Sequence, residues 1–159
     1  MNGTIGFTLN GRPVNVSARA DDALLPVLRG TLGLVATRFG CGAEACGACM
    51  VLLDGVPTNS CTLEMARLAG RNVVTVEGLG TSDAPHPVQA ALLDEQAGQC
   101  GYCLSGIQIA AAALLARNPD PSRAEVTEAL AGNFCRCGAQ NRIIRAVQRA
   151  GRMMRGATP

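Results

Sequence analysis

The chain has 159 residues, a formal net charge of +2, 48% apolar residues and only 16% charged ones, which excludes intrinsic disorder. So small a charge gives no electrostatic reason to expect nucleic acid or an acidic membrane surface as a partner. Three Phe, one Tyr and no Trp leave no stacking platform for single strands, whereas eight Cys stand against a single His.

In chain order, Ile5, Phe7 and Leu9 alternate with smaller or polar residues, and Asn10-Gly11 is a type I′ turn signal leading into residues 13–16. Asp21 or Asp22 is placed to cap a short helix through Leu24, Leu25, Val27 and Leu28, with Gly30 as its stop. Residues 50–53 and 56–58 flank Asp54-Gly55, a second hairpin signal. A short helix with Leu63, Met65 and Leu68 on one face is expected after Cys61, then a strand over residues 72–76. This mixture predicts a small α+β domain over residues 1–77.

Residues 78–87, rich in Gly, Ser, Asp and Pro, read as a linker. Four helices are expected beyond it. Pro87 suits the first turn of a helix through residues 88–96. An Ala-rich helix spans residues 104–118, and Ser122 with Glu125 forms a capping-box pattern for a third that ends near Gly132. The last, residues 141–154, places Ile143, Val147, Ala150 and Met154 on one face and Arg142, Arg145, Arg149 and Arg152 on another. The Arg row reads as a solvated face or a partner contact. Residues 88–155 thus predict a four-helix bundle, and residues 156–159 a tail.

The cysteines divide at the same boundary. Cys41, Cys46, Cys49 and Cys61 follow C-x4-C-x2-C with a distant fourth, and Cys100, Cys103, Cys135 and Cys137 follow C-x2-C with a distant C-x-C. Four thiolates ligate one [2Fe–2S] cluster, and the first spacing is of the plant-type ferredoxin kind. Gly40, Gly42 and Gly47 around it let backbone N–H groups approach sulfur closely. The second set lies just before two expected helices, whose dipoles favour thiolates and an anionic group. Structural zinc accepts four thiolates as well and stays open for both sets, more so for the second. A thioredoxin-like Cys46–Cys49 pair leaves Cys41 unexplained, and disulfides need an oxidising compartment. No basic, apolar leader opens the chain and the longest apolar stretch is residues 109–116, so the expectation is a cytoplasmic protein without membrane insertion, unless a partner carries it elsewhere.

Phe39-Gly-Cys-Gly, Cys46-Gly-Ala-Cys49, Gln99-Cys-Gly-Tyr-Cys103 and Gly132-Asn-Phe-Cys-Arg-Cys-Gly138 together resemble the small iron–sulfur subunit of the xanthine oxidase family of molybdenum hydroxylases. Cys103-Leu-Ser-Gly106 is similar to the isoquinoline 1-oxidoreductase and nicotinate dehydrogenase type. The resemblance implies a β-grasp plant-type ferredoxin domain followed by a four-helix-bundle domain, each with one [2Fe–2S] cluster. It implies a large molybdenum-binding partner carrying molybdopterin, as the cytosine dinucleotide in many bacteria, with Gln99 and the ligand Cys137 reaching toward that pterin. The function implied is one-electron transfer from the partner to an external acceptor, a cytochrome in the isoquinoline type, while the partner oxidises an N-heteroaromatic compound or an aldehyde. No catalytic residue is expected in this chain; a free-standing two-cluster ferredoxin is the alternative function.

Among the remaining polar residues, His86 reads as a solvated or capping residue. Ser60 and Ser105 neighbour ligands but have no His for a triad, and Glu44 and Asp54 read as surface groups. Arg136, between two ligands, is placed to steady negative charge or to meet the partner.

Overall fold

A computed structural model of the chain describes residues 3–156; the last three residues of the expected tail lie outside these. Strands β1 (Gly3–Leu9) and β2 (Arg12–Ala18) form the first hairpin, paired from Gly3 opposite Ala18 to Leu9 opposite Arg12. Asn10 and Gly11 both have positive φ, 50° and 76°, as a type I′ turn requires. Strands β3 (Met50–Leu53) and β4 (Val56–Asn59) make the second hairpin around Asp54 and Gly55 in the same conformation. Strand β5 (Asn72–Val74) joins the two, parallel to β1 and antiparallel to β3, so the sheet order is β2-β1-β5-β3-β4. This strand is shorter than expected, because the chain turns into a 3-10 segment at Val76–Gly78.

Alternation places Phe7, Leu9, Val16, Val51, Leu53 and Val73 on one buried face of the sheet. Leu24 and Leu28 cover it, with Met65 and Leu68 of a 3-10 turn at Met65–Leu68. Helix α1 (Leu24–Pro26) differs from expectation at both ends. Its N-cap is Ala23 with no side-chain cap, since Asp21 is held by the Arg19 guanidinium and Asp22 accepts the Arg19 backbone N–H. Nor does Gly30 end it: the chain continues as a π-helical turn, Val27–Thr31.

Helices α2 (Pro87–Asp94), α3 (Leu104–Arg117), α4 (Arg123–Ala129) and α5 (Gln140–Met154) form the second half. Pro87 is at the first helical position, and the Ser122–Glu125 capping box closes in both directions. Val88, Ala91, Ile107, Ala111, Val126, Ile143, Val147 and Ala150 form this half's core. Met154, expected on that face, is 41% exposed, because it lies at the last residue of α5 beyond the packed region. The Arg row is not merely solvated: Arg145 pairs with Glu95 at 3.1 Å, Arg149 with Asp94 at 3.0 Å, and Arg142 donates to the Gln96 carbonyl at 3.3 Å. Three of the four arginines thus fasten α5 to the C-terminal end of α2.

Helix α3 has no solvent face to speak of. It packs on β3 and β4 on one side and on α2, α4 and α5 on the other. Ile107, Ala111 and Leu115 enter the helical core, while Ile109, Ala110, Ala112 and Ala113 are buried outside it. The Ala-rich sequence lets both neighbours approach closely. Among the described residues no helix is long and apolar enough to cross a membrane.

Candidate metal centres

Eight free thiols gather in two places, each near where the two halves meet. The first set rides on the loop between the π-helical turn and β3, with Cys61 brought in just after β4. Within this loop the N–H groups of Ala43 and Ala45 each donate to Cys41 Sγ at 3.3 Å, and Cys41 N–H donates to Cys46 Sγ at 3.4 Å. The Ala43 N–H and the Cys46 thiol bring the Cys41 pKa down to about 7. Burial does the opposite to Cys49, pushed up to about 11. Glu44 is more than a surface group: its carboxylate accepts from the Thr62 hydroxyl and its carbonyl from Asn59 Nδ2, at 3.3 Å. It staples the loop to the segment that carries Cys61. Asp54 is a turn residue, accepting from Asn72 N–H and Arg71.

The second set sits at two helix starts. Cys103 is the N-cap of α3, and Cys135 and Cys137 precede α5, whose N-cap is Ala139. A helix N-terminus carries unpaired amides and a positive dipole end, which favour a thiolate placed beside it. Cys100 is lowered, chiefly by the Tyr102 N–H and then by the Cys137 thiol. Burial pushes Cys103 up to about 12, whereas Cys135 is lowered in spite of its burial, by the N–H groups of Ala139, Cys137 and Gly138. Gln99 donates through Nε2 to the Cys137 carbonyl at 3.1 Å, so both residues singled out for the pterin side stand together beside the second set. A cleft of about 780 Å³ opens beside Gln99, bordered by Leu92, the exposed Leu93 and Leu104.

The thiols meet in pairs. Cys137 Sγ and Cys100 Sγ are 3.4 Å apart, and the thiols of Cys41 and Cys46, of Cys49 and Cys61, and of Cys103 and Cys135 are near enough to shift each other's ionisation. Two pairs per set is the arrangement a two-iron cluster needs, with two thiolates on each iron.

Between the sets lies a cavity of about 180 Å³, lined by Cys46 from one and Cys100, Cys103, Cys135 and Cys137 from the other, with Tyr102, Phe134 and Arg136. Tyr102 spans it: its hydroxyl donates to the Phe39 carbonyl, and the Arg38 guanidinium lies 5.7 Å from its ring centroid. Phe134 N–H donates to the Cys46 carbonyl at 3.0 Å, tying the residue before Cys135 to Cys46 in the other half.

Known proteins share both halves. Residues 7–75 match the family described as 2Fe-2S iron-sulfur cluster binding domain, and residues 75–148 the one described as [2Fe-2S] binding domain. A nicotinate dehydrogenase subunit of Pseudomonas putida is 51% identical over 94% of this chain and 96% of its own length. The chain belongs to the small iron–sulfur subunits of the molybdenum hydroxylases. The alpha subunit of isoquinoline 1-oxidoreductase from Brevundimonas diminuta is 48% identical over 92% of this chain and 96% of its own. One chain of quinoline 2-oxidoreductase from Pseudomonas putida 86 superposes with a TM-score of 0.91 at 36% identity, covering 99% of both chains. Aldehyde oxidoreductase from Desulfovibrio desulfuricans gives 0.94 at 37% identity, but there the match occupies 17% of the longer chain. Family members are thus small subunits of, or are fused to, a larger molybdenum-binding catalytic part, and two [2Fe–2S] domains make this chain an electron-transfer component of an oxidoreductase.

His86 is a capping residue, accepting the Val88 N–H on Nδ1 at 3.2 Å while its own backbone N–H donates to Gln89 Oε1. Three further contributors to the sites are less visible in the sequence: Ser105 and Asn133 reach the first loop from the helical half, and Ser60 holds the Cys49 carbonyl at 2.7 Å. Their signal in the sequence is adjacency alone: Ser60 precedes Cys61, Ser105 follows Cys103 by two, and Asn133 lies two before Cys135.

Proposed function

We propose that Cys41, Cys46, Cys49 and Cys61 ligate one [2Fe–2S] cluster, that Cys100, Cys103, Cys135 and Cys137 ligate the other, and that the chain carries electrons from a molybdopterin partner to an external acceptor. The pairing of thiols within each set is the observation that carries this reading. When bound, the clusters supply two one-electron sites in series for a reaction that releases two electrons at once. The residues of this chain hold them: backbone N–H groups around Cys41 and two helix N-termini at the second set stabilise the thiolates.

The polarity of the chain follows from Gln99 and Cys137. Both stand at the rim of the second set beside the broad cleft, the surface suited to the pterin side of the partner. The pterin would be the cytosine dinucleotide form, and the first set, with Cys41 exposed, would face the acceptor, a cytochrome in our reading. Relatives named for nicotinate, isoquinoline and quinoline favour an N-heteroaromatic substrate over an aldehyde; the enzyme is read as cytoplasmic unless its partner carries it elsewhere. Residues 1–77 and 88–155 would serve as the two cluster-binding domains, joined by residues 78–87.

The test is iron and sulfide analysis with EPR of the dithionite-reduced protein, coexpressed with its large partner. Two distinct S = ½ signals are expected. Cys61→Ser should alter or abolish one and Cys137→Ser the other, each lowering bound iron by up to about half. Copurifying molybdenum supports the subunit over a free ferredoxin; zinc without an EPR signal would overturn the assignment.

A further inference from the structure

The helical half acts on the first ligand loop through three consecutive backbone carbonyls. The Cys46 carbonyl accepts Phe134 N–H at 3.0 Å, the Gly47 carbonyl accepts Asn133 Nδ2 at 3.3 Å, and the Ala48 carbonyl accepts Ser105 Oγ at 2.8 Å. All three of these donors belong to the helical half, and Ser105 is only 6% exposed; the Gly47 and Ala48 carbonyls also accept the Met50 and Arg38 N–H groups of their own half, at 3.2 and 3.3 Å. The approach is close: a Cβ on Gly106 would overlap the Gly47 carbonyl, and one on Gly47, whose φ is +70°, would overlap the Gly132 carbonyl. The next carbonyl, that of Cys49, is held instead by Ser60 of the sheet half.

A trans peptide points its carbonyl and the following N–H in opposite directions. Drawing these three carbonyls toward the helical half therefore turns the N–H groups of Gly47, Ala48 and Cys49 away from it. Among the described residues none of these amides donates to a protein acceptor. Ala48 and Cys49 are buried, where an unpaired N–H is unfavourable, so the sulfurs bound by this loop are the acceptors that would complete them. A carbonyl that accepts a hydrogen bond also makes the N–H of its own peptide a stronger donor.

We propose that Ser105 and Asn133 are positioning residues for the first cluster: from the opposite half of the molecule they fix the peptide units whose free N–H groups serve its sulfurs, and so raise its reduction potential. Hydrogen bonds to cluster sulfur favour the more negative, reduced state. The inference rests on the ligand assignment above. It separates two roles that simple interface packing would merge, since packing alone predicts no selective effect on one cluster.

An EPR-monitored reductive titration of the full chain in complex with its partner tests it, with the first-cluster signal assigned by Cys61→Ser. At a potential that half-reduces the wild-type first cluster, Ser105→Ala should lower its reduced-to-oxidised ratio about threefold to tenfold, the weight of one hydrogen bond. The second cluster should titrate as in the wild type although Ser105 lies two residues from Cys103, and Ser105→Thr should restore the first. Asn133→Ala, acting at the neighbouring carbonyl, should shift the ratio in the same direction. Unchanged titration of the first cluster in both alanine variants would overturn the proposal, as would equal shifts of both clusters or loss of iron from both. A wild-type complex lacking a first-cluster signal would sink the ligand assignment instead, before any variant is compared.

Discussion

The two halves of this molecule solve one chemical problem in opposite ways. The helical half gathers its thiols at the starts of α3 and α5, where dipoles and unpaired amides come with the secondary structure. The sheet half gathers three of its four on an irregular loop whose N–H groups must be aimed one by one. A helix N-terminus is pre-organised by its own hydrogen bonds. The loop instead depends on neighbours: Thr62 on Glu44 in the middle, Ser60 at the Cys49 end, and Ser105, Asn133 and Phe134 from across the molecule. The regular site draws mainly on its own helices, with Tyr102 as its tie to the sheet half, whereas the irregular one is held largely from outside.

If that contrast is right, the largest effect should come from Gly106→Ala, which forces a methyl group against the Gly47 backbone. Destabilisation of about 3 kcal/mol is expected from such overpacking against main chain, read from the denaturant midpoint. Iron should be lost preferentially from the first site, although the substitution lies in α3. Equal loss from both sites would break the contrast.

A smaller effect, confined to the helical half, concerns His86. Burial holds its pKa below the ordinary 6.5, and only the neutral ring can accept the Val88 N–H. The unfolded chain takes up a proton that the folded chain resists, so this contribution is complete above about pH 6.5 and is lost as the pH falls through the lowered folded value. The melting temperature should decline as the pH falls below about 6.5 in the wild type. His86→Asn, which keeps an acceptor at the cap without a titrating ring, should flatten that slope.

The smallest effect belongs to the α2–α5 ion pairs. Arg149→Ala removes a pair whose Asp94 side is half exposed, and about 0.2–1 kcal/mol is expected, shrinking further in about 1 M salt. An unfolding midpoint moved by much more would mean that the arginine row does more than fasten one helix to another.

Local signals are legible in the sequence and distant ones are not. Asn10-Gly11 and Asp54-Gly55 between alternating apolar residues specify both hairpins, and Ser122 with Glu125 specifies the start of α4, because these depend on residues within a few positions of each other. The spacing of the thiols and the motifs around them point to the iron–sulfur family. The cap of α1 departs from expectation because Arg19, two and three residues away, takes both aspartates. Its end does so because a glycine weakens a helix without breaking it, and the π-helical turn passes through Gly30. Arg145 and Arg149 find partners about fifty residues away, and Ser105 reaches a carbonyl fifty-seven residues back, separations at which periodicity carries no information.

Helix α3 has a consequence for how the chain comes apart. It lends one side to the sheet half and the other to the helical core, and its N-cap is itself a proposed ligand. Melting either half strips apolar cover from the same fourteen-residue helix and thereby weakens the other. The molecule is therefore expected to come apart as a single cooperative unit, with both cysteine sets depending on the same helix.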